Sequence, residues 1–288
     1  MKKDSGFKWL LMFFAYVMIT VNLNAQQLAL YHPEDQQIFN EYLEYIKPWK
    51  SDSNEIILEK TAMFFLETPY VAHTLEVTDS ETLIVNLREF DCFTYVETVL
   101  ALYLTVKSDL PALDTFARNL QSIRYRDGEI AGYPSRLHYT SDWLYNNEQS
   151  GLLKNISGDI GGVREDKRID FMSAHRDSYK HLKTDDEMLE RIKVAEDNIN
   201  SRGGFMYLPK ANIAIAAPMI PHMAMIGFTT TVEGLDTTHV GFAFHTDEGM
   251  TFIHASSIEN KIVIDESLLS DYCNSRNSCT GVIVAEVL

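Results

Sequence analysis

Apolar and polar positions change period along the chain. Gln36-Gln-Ile-Phe-Asn-Glu-Tyr-Leu-Glu-Tyr-Ile46 and residues 55–65 place apolar side chains at three- and four-residue spacing, which predicts amphipathic helices. Residues 92–107 are apolar on nearly every side. Glu97 is the only charge between Cys92 and Val106, so this helix is expected to be enclosed. Pro111 follows its end, and another helix is expected over 112–123. Residues 124–204 are polar and rich in turn formers, with a loop at 156–162, a charged surface helix at 185–198 and a break at Ser201-Arg-Gly-Gly204. Beyond Phe205 the pattern turns to strands, expected at 225–232, 238–244, 250–255, 261–265 and 281–287. Helices first and antiparallel strands later predict an α+β domain.

The first 25 residues stand apart. Lys2, Lys3 and Lys8 form a basic start, residues 9–21 an apolar run, and Asn-Leu-Asn-Ala25 a small-residue cleavage site. This pattern reads as a secretory signal peptide, and the run is short of the roughly 20 apolar residues of a membrane span. Residues 26–288 are then expected to form one domain with no integral membrane segment, in the periplasm or outside the cell. The formal charge of −16 argues against nucleic acid and anionic lipid as partners.

Export permits disulfides, and the chain has three cysteines. Cys273 and Cys279 are close enough in sequence to close a small loop, which leaves Cys92 unpaired. A free cysteine in an exported chain is a candidate reactive thiol. Asp91 before it is a good helix N-cap, so Cys92 is expected at the first helical position. The partial positive charge there favours a thiolate. Lowering a thiol pKa by about 2 units takes about 2.7 kcal/mol, whereas a helix end supplies about 0.3–1 kcal/mol. The remainder calls for an imidazolium.

Two histidines are candidates. In Thr238-His-Val-Gly-Phe-Ala-Phe-His245, strand alternation puts His239, Gly241 and Ala243 on one face, and Thr246-Asp-Glu-Gly249 is a turn signal. The return strand brings His254 near the position opposite His239, and a one-residue slip would separate their faces. Gly241 and Ala243 are expected to leave room for the helix that starts at Cys92. Cys92 would attack a carbonyl carbon, His239 would carry the proton and His254 would orient His239. A zinc site built from His239, His254 and either His245 or Asp236 is the alternative, which the strand alternation disfavours. We expect no metal and no cofactor.

Leu66-Glu-Thr-Pro-Tyr-Val71, Asp91-Cys92, His239-Val-Gly-Phe242 and His254-Ala-Ser-Ser257 together resemble the NlpC/p60 superfamily of papain-like cysteine peptidases. Residues 88–97, Ile123-Arg-Tyr-Arg126, Arg136-Leu-His-Tyr139 with Trp143, and Gly234-Leu-Asp-Thr-Thr-His239 resemble its N-acetylmuramoyl-L-alanine amidase-like branch. The resemblance runs from about residue 55 to the end. It implies a papain-like fold and cleavage of an amide in peptidoglycan or its fragments, most directly between N-acetylmuramic acid and L-alanine. Cleavage between D-glutamate and the diamino acid of the stem is the rival within the class, and a wall-binding protein without turnover the rival outside it. The resemblance implies Cys92 as nucleophile, His239 as base, His254 as the third member, and Tyr70 beside the oxyanion. Two departures, Ala72-His-Thr-Leu75 after Pro-Tyr and Cys-Phe-Thr in place of Cys-Ser-Gly, imply a different substrate pocket.

Stem peptides carry carboxylates, which arginine binds through paired hydrogen bonds. Arg124, Arg126 and Arg136 are therefore substrate candidates alongside surface ion pairing. Asp91, His138, Tyr139, Trp143 and Ser256 join the candidate site from the same motifs. Glu97 is expected to pair with an arginine such as Arg88.

Overall fold

The computed structural model describes residues 29–288, so the expected signal peptide lies outside the described residues. The helices are α1 (Pro33–Ile46), α2 (Asn54–Phe64), α3 (Cys92–Lys107), α4 (Leu113–Arg124), α5 (Thr140–Gln149), α6 (Phe171–Ala174), α7 (Asp186–Ser201), α8 (Lys210–Ala216) and α9 (Leu269–Asn274). The strands are β1 (Leu153–Asn155), β2 (Val163–Glu165), β3 (Phe205–Pro209), β4 (Met225–Thr230), β5 (Thr237–Thr246), β6 (Gly249–Ser256), β7 (Lys261–Ile264) and β8 (Cys279–Val287). They form a sheet in the order β2-β3-β8-β4-β5-β6-β7, with β1 also on β8, and every named pairing is antiparallel. The mixed α+β expectation holds, with helices and an antiparallel sheet.

The five expected helices are present to within a few residues, and so are the five expected strands. Helices α5, α6, α8 and α9 and strands β1, β2 and β3 were not anticipated. Helix α5 shows why. Its own N-cap position, Tyr139, supplies no capping side chain. The first-turn amide of Ser141 instead donates to the Asp236 carboxylate at 2.6 Å, a cap supplied from 95 residues away.

Helix α3 is the spine of the larger core. Twelve of its sixteen residues are buried. It packs against Ile57, Leu58 and Ala62 of α2, Phe116 and Leu120 of α4, and one face of the sheet through Val240, Phe242, Ile253, Ala255 and Ile283. The other sheet face packs Ala243, Phe252, Phe228 and Val282 against Ile213 of α8 and Leu269 and Tyr272 of α9. This corrects one expectation. The face with Gly241 and Ala243 does not receive the long helix; Val240 and Phe242 on the opposite face do.

Glu97 carries the one buried charge of α3, and its partner is Arg124 rather than Arg88. Arg124 Nε donates to Glu97 Oε2 at 2.7 Å and its Nη1 to the Ile84 carbonyl at 2.8 Å, with both side chains 3% exposed. Arg88 donates to Asp35, which also caps α1 and accepts from the Leu87 amide. The segment leading into α3 is thereby tied to the first helix.

Candidate active site

Asp91 opens α3 as the sequence predicts. Its Oδ1 accepts from the Phe93 and Thr94 amides at 3.0 and 2.8 Å, and the Thr94 hydroxyl accepts in return from the Asp91 amide. Cys92 is the first helical residue. Cys273 and Cys279 are disulfide-bonded and Cys92 is free and partly exposed. Trp143, fully buried, meets Phe93 edge-on at 5.3 Å and supports this helix start from behind.

The thiol faces the Val240 amide, next in the chain to His239. Burial, and then the Asp91 charge, push the Cys92 thiol up to about 12, against N–H groups of Val240, Cys92 and Phe93 that favour its anion. This overturns the expectation of a lowered pKa. The residue that starts the helix is itself an anion beside the sulfur, and the enclosure costs more than a helix end returns. Burial, and then the neighbouring His254 and Arg276, push His239 down to about 3. At neutral pH the resting site therefore holds a thiol and a neutral imidazole.

A raised pKa means less thiolate at any pH below it. Iodoacetamide is expected to label Cys92 more slowly at pH 7 than a free cysteine, whose pKa is about 8.5. The labelling rate should keep rising through pH 9. A plateau with an apparent pKa below neutrality would show a resting ion pair instead.

His239 and His254 do meet, with His239 Nε2 and His254 Nδ1 2.6 Å apart and the rings nearly perpendicular. Their placement is diagonal rather than directly opposed. The two-residue turn at Asp247 and Glu248 sets Thr246 against Gly249 and Phe242 against Ile253, and one step further Gly241 against His254. The histidines remain on one face because the offset is two residues. Gly241 makes the diagonal possible: a Cβ there would lie 2.8 Å from the Ile253 carbonyl oxygen and 3.0 Å from His254 Cβ.

Asp265, just past β7, completes the series. Its Oδ2 lies 3.3 Å from His254 Nε2 but off the axis of a good hydrogen bond, which leaves that nitrogen underused. Burial raises the Asp265 carboxyl, but the close approach of His254 and the hydrogen bonds from Ser267 override this and hold it below the usual carboxylate range. The geometry selects the tautomers. A carboxylate favours the proton on His254 Nε2, so His254 Nδ1 accepts from His239 Nε2–H. The remaining nitrogen of His239, Nδ1, then keeps its lone pair. Asp265 was missed as a site residue. Its one sequence signal is an acid at the end of an expected strand.

Tyr70 is pinned beside this group: its amide donates to the Asn260 carbonyl, and the Phe90 carbonyl accepts from the Val71 amide. Burial, and then the nearby Cys92 and Asp91, raise its phenol pKa. Tyr272 of α9 lies on the sheet face that carries the two histidines, 6.3 Å from the His239 ring and 6.0 Å from the His254 ring, and the sequence gives no signal for it.

The other candidates are drawn into internal structure. Arg126 makes a two-pronged pair with Asp142, and Arg136 bonds Glu81 through two nitrogens and Glu76 through a third contact. With Arg124 on Glu97, each of the three arginines is committed to an internal carboxylate, Asp142 also receiving Arg202. His138 bonds the Tyr133 carbonyl, and burial, then Arg136, push it down to about 3. The Tyr139 hydroxyl donates to Glu196. Ser256 Oγ accepts from the Glu259 amide in the β6–β7 turn. The zinc alternative lacks converging ligands. Asp236 is held by the Ser141 and Thr237 amides and His245 by the Ile220 carbonyl. Among the described residues, no set of three or more His, Cys, Asp or Glu could hold a metal ion. A groove of about 690 Å³ is lined by residues such as Tyr145, Arg164 and Arg202, and by none of Cys92, His239 and His254.

The sequence model of the AmiA-like family, described as N-acetylmuramoyl-L-alanine amidase-like, matches residues 60–282. A crystal structure of an N-acetylmuramoyl-L-alanine amidase from Bacteroides uniformis is 38% identical with a TM-score of 0.77, covering 82% of this chain and 99% of that one. A crystal structure of a Bacteroides fragilis protein provisionally described as a xylanase is 39% identical with a TM-score of 0.74, covering 79% and 99%. A Legionella pneumophila protein at 23% identity and a TM-score of 0.66, covering 88% and 95%, shares the fold. No curated relative matches.

Proposed function

The chain belongs to the AmiA-like, N-acetylmuramoyl-L-alanine amidase-like family, and from that premise we propose that it is an exported cysteine amidase of the papain-like, NlpC/p60 type. Its substrate is peptidoglycan or its turnover fragments, and its bond the amide between N-acetylmuramic acid and L-alanine. The observation that carries the reading is a free thiol at a helix start, facing the Val240 amide, whose chain neighbour His239 lies 2.6 Å from His254.

Cys92 Sγ attacks the amide carbon as its proton passes to His239 Nδ1, so the thiolate forms only as the bond is made. The oxyanion is received by the Cys92 amide and the Tyr70 hydroxyl. His239 returns the proton to the leaving nitrogen, the amine departs, and water admitted against the same base releases the acid. His254 and Asp265 hold His239 in the tautomer this needs. A xylanase chemistry would require two carboxylates flanking the bond. The acids nearest this site, Asp91 and Asp265, are a helix cap and a histidine partner.

Mass spectrometry of products from defined muropeptides tests the bond. The expected products are a sugar ending in its lactyl acid and a stem peptide with a free alanine amine. A cut after D-glutamate would replace this reading with an endopeptidase, and capture without turnover would replace it with a binding protein.

A further inference from the structure

The three arginines expected to meet stem carboxylates are neutralised internally, yet one other arginine stands uncompensated at the candidate site. Arg276 lies in the loop closed by the Cys273–Cys279 disulfide. Its amide donates to the Cys273 carbonyl and its carbonyl accepts from the Cys279 amide, so its backbone is held on both sides. The guanidinium carbon sits 3.3 Å from the centroid of the Tyr272 ring, whose own distance to the His239 ring is 6.3 Å. Nη1 donates to the Tyr272 carbonyl and the Ser275 hydroxyl. Nε and Nη2 have no hydrogen-bond partner, and no carboxylate pairs with the group among the described residues. The residue is partly exposed. In a chain of net charge −16, a cation one aromatic ring from the candidate histidine, with two donors unused, has the chemistry to pair with a carboxylate.

We propose that Arg276 binds the free carboxylate of the stem residue that follows the alanine, and so selects peptides with an acid at that position. This rests on the amidase reading above. Two extended residues carry that carboxylate about 7 Å from the scissile amide, toward the side of the site that Tyr272 and Arg276 flank. The same contact has a consequence for the base. The Arg276 charge disfavours protonation of His239. A bound carboxylate offsets that charge when His239 must take up the thiol proton.

Titration calorimetry on the Cys92→Ala protein tests the anchor without turnover. Two ligands are compared, a muropeptide with the carboxylate and its carboxamide counterpart. Adding Arg276→Gln is expected to weaken the carboxylate ligand roughly 10- to 100-fold and the carboxamide little. Arg276→Lys should recover part of the difference, and thermal melting confirms that each variant folds. Equal loss on both ligands, or no loss on either, overturns the anchor. The two readings fail separately. Turnover by the wild type without the ligand contrast leaves the amidase and removes the anchor; the contrast without turnover leaves the anchor and removes the amidase.

Discussion

Replacing Cys92 by alanine is expected to lower turnover of a muropeptide by about 10⁴-fold or more while leaving its binding and the melting temperature near those of the wild type. Removing the nucleophile of a catalytic unit has effects of that order, because no residual route forms the covalent intermediate. Folding should be little affected. The helix start is held by Asp91, Phe93 and Thr94, and the packing behind it by the Phe93–Trp143 contact, neither of which uses the sulfur. His239→Ala should approach the same loss with the thiol intact. With the thiol pushed up to about 12, spontaneous ionisation cannot replace a base at neutral pH. Rates on matched muropeptides, with circular dichroism of each variant, check both. Turnover within tenfold of wild type in Cys92→Ala would remove the acyl-enzyme mechanism.

The parts of this site that follow local rules are legible along the chain. An aspartate before an apolar helix places Cys92 at its first turn, and an odd cysteine count leaves it free. Strand parity puts His239 and His254 on one face even though the direct-opposition register is two residues off. What the sequence hides is carried by partners distant in the chain. Asp265 gains meaning only when β7 lies against β6, and Tyr272 and Arg276 only when α9 folds onto the far face of the sheet. Helix α5 is capped by Asp236 from another segment. The thiol was misjudged because enclosure of the sulfur, which the chain does not reveal, and then the charge of the capping Asp91 outweigh the helix end.

The arginines give the sharpest contrast. Composition makes each a candidate for an anionic substrate, but it cannot tell whether an acid 27 or 60 residues away has already claimed the charge. That question has a large energetic answer at Arg124. Breaking a buried ion pair by removing one partner costs about 3–5 kcal/mol, because the other charge stays enclosed without compensation. Arg124→Met is therefore expected to strand the Glu97 carboxylate inside the helical core, together with the Ile84 carbonyl that Arg124 also satisfies. In a chain of this size the loss amounts to a melting temperature lower by about 10 °C. The double replacement Glu97→Leu with Arg124→Met should recover much of it, since two apolar side chains restore packing without a buried charge. A substrate role predicts the reverse pattern: unchanged melting, a raised KM for Arg124→Met, and no rescue by the second change. Thermal melting of the single and double variants, set beside KM for the single ones, distinguishes the two. Burial of both side chains at 3% exposure makes the stability outcome the expected one.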